Sequence, residues 1–255
     1  MIAWNDLQKI ANFQRVSPFV VLREYVQILF LNGLYSLDNA DNIVFKGGTC
    51  LRLIHNSNRF SEDLDFTTDF SSSQIGSLVA QAVGLVTKET PPINIKTVKT
   101  ISGFTQKLSM LTIYSPTSIS IKLDFSQREL VLQKNQKPIS SILPISSFYP
   151  ITHMEMTEIL AEKCRAIVSR HKGRDIYDLW YLLQRKTPID VGLIQKKLDY
   201  YQQKFDLNEL IKNIKSWEFE KFSQDVRGFL PEPDRQTLPF VIPTLIEKLK
   251  DAMIT

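Results

Sequence analysis

The chain has 255 residues, of which 43% are hydrophobic and 23% are charged, and its formal net charge is +4. This composition is typical of a soluble globular protein with one large or two small domains. No apolar run is long enough to span a bilayer, so we expect no membrane partner. The mild positive charge is compatible with an RNA or nucleotide partner, whereas a dedicated DNA-binding protein is usually more basic.

Two further features favour a cytoplasmic protein. The N-terminus, from Met1 to Asp6, lacks the basic start and apolar block of a signal peptide. The two cysteines, Cys50 and Cys164, are far apart and unlike a metal-binding pair. We therefore expect both thiols to be buried and reduced.

Two helices are predicted at the start of the chain. Apolar residues at helical spacing indicate a first helix within residues 1–16 and a second from Pro18 to about Tyr35. Ser17 is suited to the N-cap of the second helix, since proline is favoured at the first helical position. We assign both helices to the core.

The stretch from Phe45 to Phe66 has the features of a functional site. A short apolar run that ends at Phe45 predicts a buried strand, Gly47-Gly48 end it, and Thr49 can cap a short helix. A strand, a glycine turn and a helix start leave backbone N–H groups and the positive end of the helix dipole pointing outward. This arrangement predicts a phosphate-binding turn.

A pair of aspartates follows about ten residues later. The segment SEDLDF alternates polar and apolar residues, so on a strand Ser61, Asp63 and Asp65 share one face. Two adjacent carboxylates repel each other unless a cation lies between them, and Mg²⁺ held by carboxylates and substrate phosphates suits this position. A phosphate turn beside metal-binding carboxylates predicts nucleotide chemistry. As a further hypothesis, phosphorylation of Ser61 would add negative charge there and oppose NTP binding.

Each part of this pattern also has a structural explanation. A Gly-Gly after a strand is most often only a tight turn, and an Asp-x-Asp on an exposed strand often prevents edge pairing. The joint order favours function, because the glycine turn, the short helix, Arg59 and the aspartate pair follow one another between two strands.

A helix capped near Ser71 is followed by three predicted strands. Asp124 lies on the polar face of the last strand. If that strand is the neighbour of the strand with Asp63 and Asp65, three carboxylates come together and could hold two metal ions. A half-exposed strand with ordinary polar residues explains the pattern equally well. The strands are predicted over residues 93–100, 104–114 and 118–126.

A proline-rich, loop-like segment over residues 127–150 marks the predicted domain boundary. We expect a sheet-bearing domain over residues 1–150 and a helical domain over residues 151–255. Thr152-x-x-Glu155 has the sequence of a capping box, which predicts a helix through about His171. A further helix is predicted to begin at residue 174. Three more are predicted over residues 191–205, 207–227 and 244–253, and a proline-rich connection over residues 228–243 precedes the last of them.

One lysine and two aspartates of the helical domain are functional candidates. Lys163 lies on the apolar face of its helix, where a buried ammonium is costly unless it reaches water or an anion. Contact with solvent is the default explanation, and binding of phosphate oxygens is the alternative. Asp175 and Asp178 share one face at the start of the next helix, where a structural role is adequate for either alone.

These motifs together resemble a known family. The segments FKGGTCLR, RFSEDLDF, KLDFS and AEKCRAIVSRHKGRDIYDLWYL, in this order, are similar to those of AbiEii/AbiGii-type nucleotidyltransferase toxins. Such toxins belong to abortive-infection and toxin–antitoxin pairs, and the resemblance covers residues 21–183. It implies an α+β fold, with a polymerase-β-like nucleotidyltransferase core containing a mixed sheet, followed by a helical C-terminal domain.

The resemblance also implies the roles of individual residues. For nucleotide binding it indicates the glycine motif and its neighbours, namely Gly47, Gly48, Thr49, Arg52 and Ser61. For metal binding it indicates Asp63, Asp65 and Asp124. In the helical domain it indicates Lys163 as a phosphate ligand, and Asp175 and Asp178 as the RD-x-x-D motif that completes the catalytic set.

The activity implied is transfer of a nucleoside monophosphate from NTP to an acceptor, with two Mg²⁺ ions and release of pyrophosphate. Asp124, or a carboxylate of the RD-x-x-D motif, could accept the proton of the attacking hydroxyl. The implied acceptor is RNA, such as a tRNA 3′ end, or a protein, and a cognate antitoxin would act directly or through DNA. The alternatives are a small-molecule nucleotidyltransferase and a catalytically silent nucleotide- or RNA-binding module, and the intact carboxylates argue against the silent module.

Overall fold

A computed structural model of the protein describes residues 1–100 and 103–251, and for residues 115–117 the backbone alone. The chain divides into two compact units, Met1–Met154 and the residues from Glu155 onward. This division falls after residue 150, because Ile151–Met154 forms a strand of the first unit. Within the described residues, no helix is both long and apolar enough to cross a membrane.

The first unit contains helices and one sheet. Its helices are α1 (Trp4–Gln14), α2 (Pro18–Tyr35), α3 (Gly47–Leu53) and α4 (Ser72–Val86). Its strands are β1 (Val44–Lys46), β2 (Leu64–Thr67), β3 (Ile93–Val98), β4 (Phe104–Thr112), β5 (Ser115–Ser126), β6 (Lys134–Lys137) and β7 (Ile151–Met154).

The strands form a seven-stranded mixed sheet in the order β3-β4-β5-β2-β1-β7-β6. β2 pairs with β5 in parallel, and β1 pairs with β2 antiparallel and with β7 in parallel. The rings of Phe45, Phe66 and Phe125, one from each of β1, β2 and β5, pack in a row with centroids 5.5 and 4.8 Å apart. Because side chains alternate along a strand, this buried row directs the neighbouring Asp65 and Asp124 to the opposite face.

Local sequence signals account for several of the element boundaries. The Ser17 side chain accepts a hydrogen bond from the Phe19 N–H at the start of α2, as predicted. Ser71 and Gln74 form a reciprocal capping box at the start of α4. The predicted third strand is longer than expected and begins at Ser115, so that the chain turns between β4 and β5 at residues 113–114.

Sequence analysis predicted a loop and then the start of a helix between β5 and the second unit, and this prediction is wrong. The segment contains β6 and β7, which pair with each other antiparallel. Thr152 is therefore a buried strand residue and not a helix cap. The next helix begins at Met156, and its N-cap position is occupied by Glu155.

The second unit is helical within the described residues. The predicted helix over residues 207–227 is interrupted near Ser216 and forms two helices. The last helix begins at Leu238 and not in the mid-240s, because Pro239 is tolerated in its first turn and buried apolar residues hold it beyond Pro243. The helices are α5 (Met156–Ser169), α6 (Gly173–Gln184), α7 (Val191–Asp199), α8 (Leu207–Lys215), α9 (Phe219–Arg227) and α10 (Leu238–Asp251).

Candidate active site

The glycine turn between β1 and α3 depends on the absence of side chains. Gly47 has φ +77°, and a Cβ built on it would lie 2.3 Å from Asp65 Oδ2. A Cβ on Gly48 would lie 2.2 Å from Arg59 Nη2 and 3.3 Å from Ser61 Oγ. The backbone of the turn therefore approaches an aspartate, an arginine and a serine as closely as glycine alone allows.

Replacement of Gly47 by alanine is expected to destabilise the first unit by about 2 kcal/mol or more, because the side chain would be strained and would overlap Asp65. Chemical denaturation measures this change. The matched control is Gly84→Ala, an exposed position within α4 where a new Cβ meets nothing within 4 Å. There we expect a gain of about 0.5–1 kcal/mol. Equal stabilities of the two variants would contradict the role of Gly47.

Thr49 does not cap α3, contrary to the sequence prediction. Helix α3 begins at Gly47 with Lys46 at the N-cap position and without a side-chain cap. Thr49 lies inside the helix, and its hydroxyl donates a hydrogen bond to the backbone carbonyl of Asp63. This contact fastens the glycine turn to the segment that carries the first aspartate.

Asp65 and Asp124 lie side by side on one face of the sheet, and Asp63 lies directly before β2, near enough for its charge to act on Lys122. Asp65 is directly opposite Asp124 in the β2–β5 pair, and Asp63 precedes Asp65 by two residues. All three are partly exposed. The strand arrangement on which the sequence prediction for Asp124 depended is present.

Lys122 supplies a positive charge to this carboxylate cluster. Its Nζ lies 2.5 Å from Asp124 Oδ2, while Thr105 Oγ1 donates to Asp124 Oδ1 at 2.6 Å. Burial lowers the pKa of Lys122, but the hydrogen bond to Asp124 and the charges of Asp124, Asp63 and Asp65 raise it overall. The ammonium therefore lies where three negative charges act on it.

The carboxylate cluster has the donor set that Mg²⁺ prefers, since all its charged groups are carboxylate oxygens open to solvent on one side. Lys122 and Thr105 engage both oxygens of Asp124. The Lys122 side chain is 46% exposed, so it can leave Asp124 without loss of packing. Asp63, Asp65 and Asp124 thus have the kind of donor atoms that hold a divalent cation, and such a cation would replace the ammonium.

The Arg52 side chain packs between α3 and α2. Its Nε lies 2.7 Å from Glu24 Oε2, its Nη1 donates to the Ser57 carbonyl, and its guanidinium covers the Phe60 ring at 3.8 Å. These contacts hold α3 against α2 and account for the arginine without a ligand. The structure gives no support to the prediction that Arg52 binds nucleotide.

In the second unit, Lys163 is buried between two carboxylates. Its Nζ lies 2.8 Å from Asp175 Oδ1 and 2.7 Å from Asp178 Oδ2. Arg170 Nε contacts the other oxygen of Asp175 at 2.8 Å. Contact with solvent, the default explanation for Lys163, is wrong, because its side chain is 10% exposed.

Comparison with known proteins identifies the family of the chain. Residues 29–241 match the family described as nucleotidyl transferase AbiEii toxin, Type IV TA system. The chain belongs to the AbiEii nucleotidyltransferase toxin family. Comparison with curated protein sequences gives no match.

Two solved structures share the fold of this AbiEii-family protein. MenT4, a nucleotidyltransferase toxin from Mycobacterium tuberculosis, is 17% identical with a TM-score of 0.68, over 98% of this chain and 90% of its own. JHP933 from Helicobacter pylori is 21% identical with a TM-score of 0.55, over 92% of this chain and 95% of its own. At these identities the likeness is one of fold.

The AbiEii family assignment confirms the predicted nucleotidyltransferase class and the toxin assignment. The α+β fold is also confirmed, with its mixed sheet followed by helices. Membership in a toxin–antitoxin family of nucleotidyltransferases implies NTP as a substrate and a cognate antitoxin.

Sequence reasoning assigned no role to three cations at the AbiEii glycine turn and carboxylate cluster. Lys122 precedes Asp124 by two residues, and this strand spacing could have placed both on one face. Arg59 is buried, and its guanidinium packs against Gly48. Lys46 is opposite Asp65 in the β1–β2 pair. The pairing of Lys46 with Asp65 depends on the register of β1 against β2, which cannot be read from the spacing of residues along the chain.

The cluster around Lys163 makes the stability of this AbiEii protein sensitive to acid. Burial raises the pKa of Asp175, but the Lys163 ammonium and the Arg170 guanidinium outweigh it and hold the pKa well below its usual value. The stabilisation is complete above the ordinary aspartate pKa, near 4, and is lost as the pH falls through the folded-state pKa. Below about pH 4 we expect a loss approaching about 1.4 kcal/mol per pH unit from this group.

Denaturant unfolding between pH 7 and pH 2 measures this linkage. Asp175→Asn should lack this part of the acid sensitivity, whereas Asp199→Asn, at an exposed position of α7, should retain it. Parallel stability curves for the wild type and Asp175→Asn would contradict the linkage.

Proposed function

We propose that the protein transfers a nucleoside monophosphate from NTP to a hydroxyl acceptor, releasing pyrophosphate, with Mg²⁺ held by Asp63, Asp65 and Asp124. The observation that carries this proposal is the pairing of Asp65 with Asp124 on two parallel strands beside the Gly47 turn, with Asp63 directly before the first of these strands. Bound Mg²⁺ would offset the negative charge of the triphosphate and of the departing pyrophosphate.

The chain's own groups have separate tasks in this proposal. The backbone of Gly47 and Gly48 gives the triphosphate close access, since a side chain at either position would fill the space. The hydroxyl of Thr49 keeps the Asp63 segment in place. Asp124 is the base that accepts the proton of the attacking hydroxyl.

Lys122 exchanges its partner when substrate binds. Its ammonium leaves Asp124 and contacts a phosphate oxygen, as lysine commonly does at phosphate sites. From the family resemblance we further propose that Lys163, Asp175 and Asp178 take part in nucleotide transfer. In support of that role, the two carboxylates hold the ammonium of Lys163 in a fixed position.

The acceptor we propose is RNA, with a tRNA 3′ end as the favoured site, and the cognate antitoxin neutralises this activity. The test incubates purified protein with each labelled NTP in turn, Mg²⁺ and total RNA, and separates the products on a denaturing gel. Label in an RNA band supports the proposal. Label in the protein band or in a small molecule would refute the RNA acceptor, and no label with any NTP would refute the transfer.

Replacement of Lys122 by methionine tests whether the ammonium occupies a cation position. Without it the three carboxylates repel one another, so the melting temperature should fall in EDTA and rise more with Mg²⁺ than that of the wild type. The control is Lys134→Met, at an exposed position on β6. An equal Mg²⁺ response in both variants and the wild type would contradict the assignment of the cation position.

A further inference from the structure

We propose that Cys50, His55 and His153 form a second metal site, which binds Zn²⁺ through one thiolate and two imidazoles. One ligand atom from each of these residues lies within 4.8 Å of the other two. The site uses soft and borderline ligands, in contrast to the oxygen ligands of the carboxylate cluster. It is independent of the proposed function.

Three separate segments of the first unit supply the ligands. Cys50 lies in α3 and is completely buried, and His55 follows the end of that helix. His153 lies in β7, where it is opposite Phe45 of β1. Spacing along the chain does not reveal this site, because the third ligand lies about a hundred residues beyond the other two.

The two imidazoles contact each other and the same backbone carbonyl. Their rings meet edge to face with centroids 5.0 Å apart. One nitrogen of each ring, His55 Nε2 and His153 Nδ1, lies 3.2 Å from the backbone carbonyl oxygen of Met154. A histidine ligand commonly donates one ring N–H to a carbonyl and coordinates with the other nitrogen.

Zinc fits the number and kind of these ligands. Tetrahedral bonds of about 2.0 Å to nitrogen and 2.3 Å to sulfur would require the three ligand atoms to approach one another by at most about 1.5 Å. The partly exposed His55 can make most of that movement, with small adjustments of buried Cys50 and His153. Three protein ligands leave a fourth coordination position for a further ligand.

Metal binding would link two segments of the first unit. Cys50 directly follows Thr49, and His153 lies on a different strand, so a shared ion would fasten α3 and its glycine turn to β7. Coordination requires the thiolate, so binding releases the thiol proton and adds to the stability of the first unit. The proposed ion would therefore have a structural role and would hold the Gly47 turn against β7.

Titration of the EDTA-treated full-length protein with Co²⁺ tests the proposal. We expect one equivalent to bind with the absorption band of a thiolate–cobalt bond, and Zn²⁺ to displace it and raise the melting temperature. Cys50→Ser should abolish the band and weaken Zn²⁺ binding by about 100-fold or more. The chain provides a matched control in Cys164→Ser, since Cys164 is the other buried cysteine and should leave both effects unchanged.

A band retained by Cys50→Ser, or lost in Cys164→Ser, would overturn the assignment. Binding only at a large excess of metal would show an adventitious ion and would overturn it as well. If Cys50→Ser does not fold, His55→Ala replaces it, because that position is partly exposed. A Zn²⁺-dependent rise in melting temperature that His55→Ala retains in full would likewise refute the site.

Discussion

Asp63→Ala is expected to abolish nucleotide transfer while the protein stays folded. The substitution removes one of the three carboxylates that we propose as Mg²⁺ ligands, and charge stabilisation of this kind contributes at least about 10²–10³-fold in rate. The fold should survive, because the side chain is partly exposed and Thr49 bonds to the backbone carbonyl of residue 63, which alanine retains. Transfer of label from NTP, measured with increasing Mg²⁺, gives the rate.

The matched control for this experiment is Asp69→Ala. Asp69 is an exposed aspartate shortly after β2, outside the carboxylate cluster, and its loss should leave the rate unchanged. Circular dichroism and thermal unfolding establish that both variants are folded. Transfer by Asp63→Ala at the rate of the wild type would refute the assignment of the carboxylates.

Lys163→Met is expected to destabilise the second unit by about 3–5 kcal/mol, because it leaves buried Asp175 and Asp178 without the ammonium that contacts both. Methionine keeps most of the apolar part of the lysine side chain. The measured loss of stability therefore arises from the missing charge and not from a change in side-chain volume. Denaturant unfolding monitored by tryptophan fluorescence measures it. The control is Lys172→Met, an exposed lysine directly before α6, which should change stability by less than about 0.5 kcal/mol.

A second variant separates the structural role of Lys163 from its proposed catalytic role. Adding Asp178→Asn to Lys163→Met removes one of the two buried carboxylate charges and should restore part of the stability. Loss of nucleotide transfer in this folded double variant would show that the Lys163–Asp178 pair acts in transfer as well as in structure. Wild-type transfer by the double variant would refute the catalytic role and leave the structural one.

Those parts of the candidate site that depend on neighbouring residues could be predicted from the sequence. The alternation in SEDLDF correctly indicates a strand that carries Asp65, although β2 begins only at Leu64 and Asp63 precedes it, and the glycine pair indicates a close backbone approach. The sequence could predict that Asp124 joins these aspartates only on the condition that its strand lies beside theirs, since strand order is decided by packing across the whole sheet. The stacked Phe66 and Phe125 rings satisfy that condition physically.

Predictions failed where tertiary contacts outweighed a local signal. Thr152 and Glu155 have the sequence of a capping box, yet β7 pairs with both β1 and β6, so Thr152 is fixed in a strand. The ion pair of Arg52 with Glu24, a residue far back in α2, was likewise not predicted from the sequence. Neither partner can be identified from spacing along the chain.

The pairing of β2 with β5 also determines when the carboxylate cluster can exist. During synthesis, Asp63 and Asp65 leave the ribosome well before Asp124, and strand pairs between distant segments form late in folding. A nascent chain that ends before β5 therefore carries an incomplete set of acidic groups. For this member of a toxin family, the proposed nucleotide transfer would therefore begin only after most of the first unit has been translated.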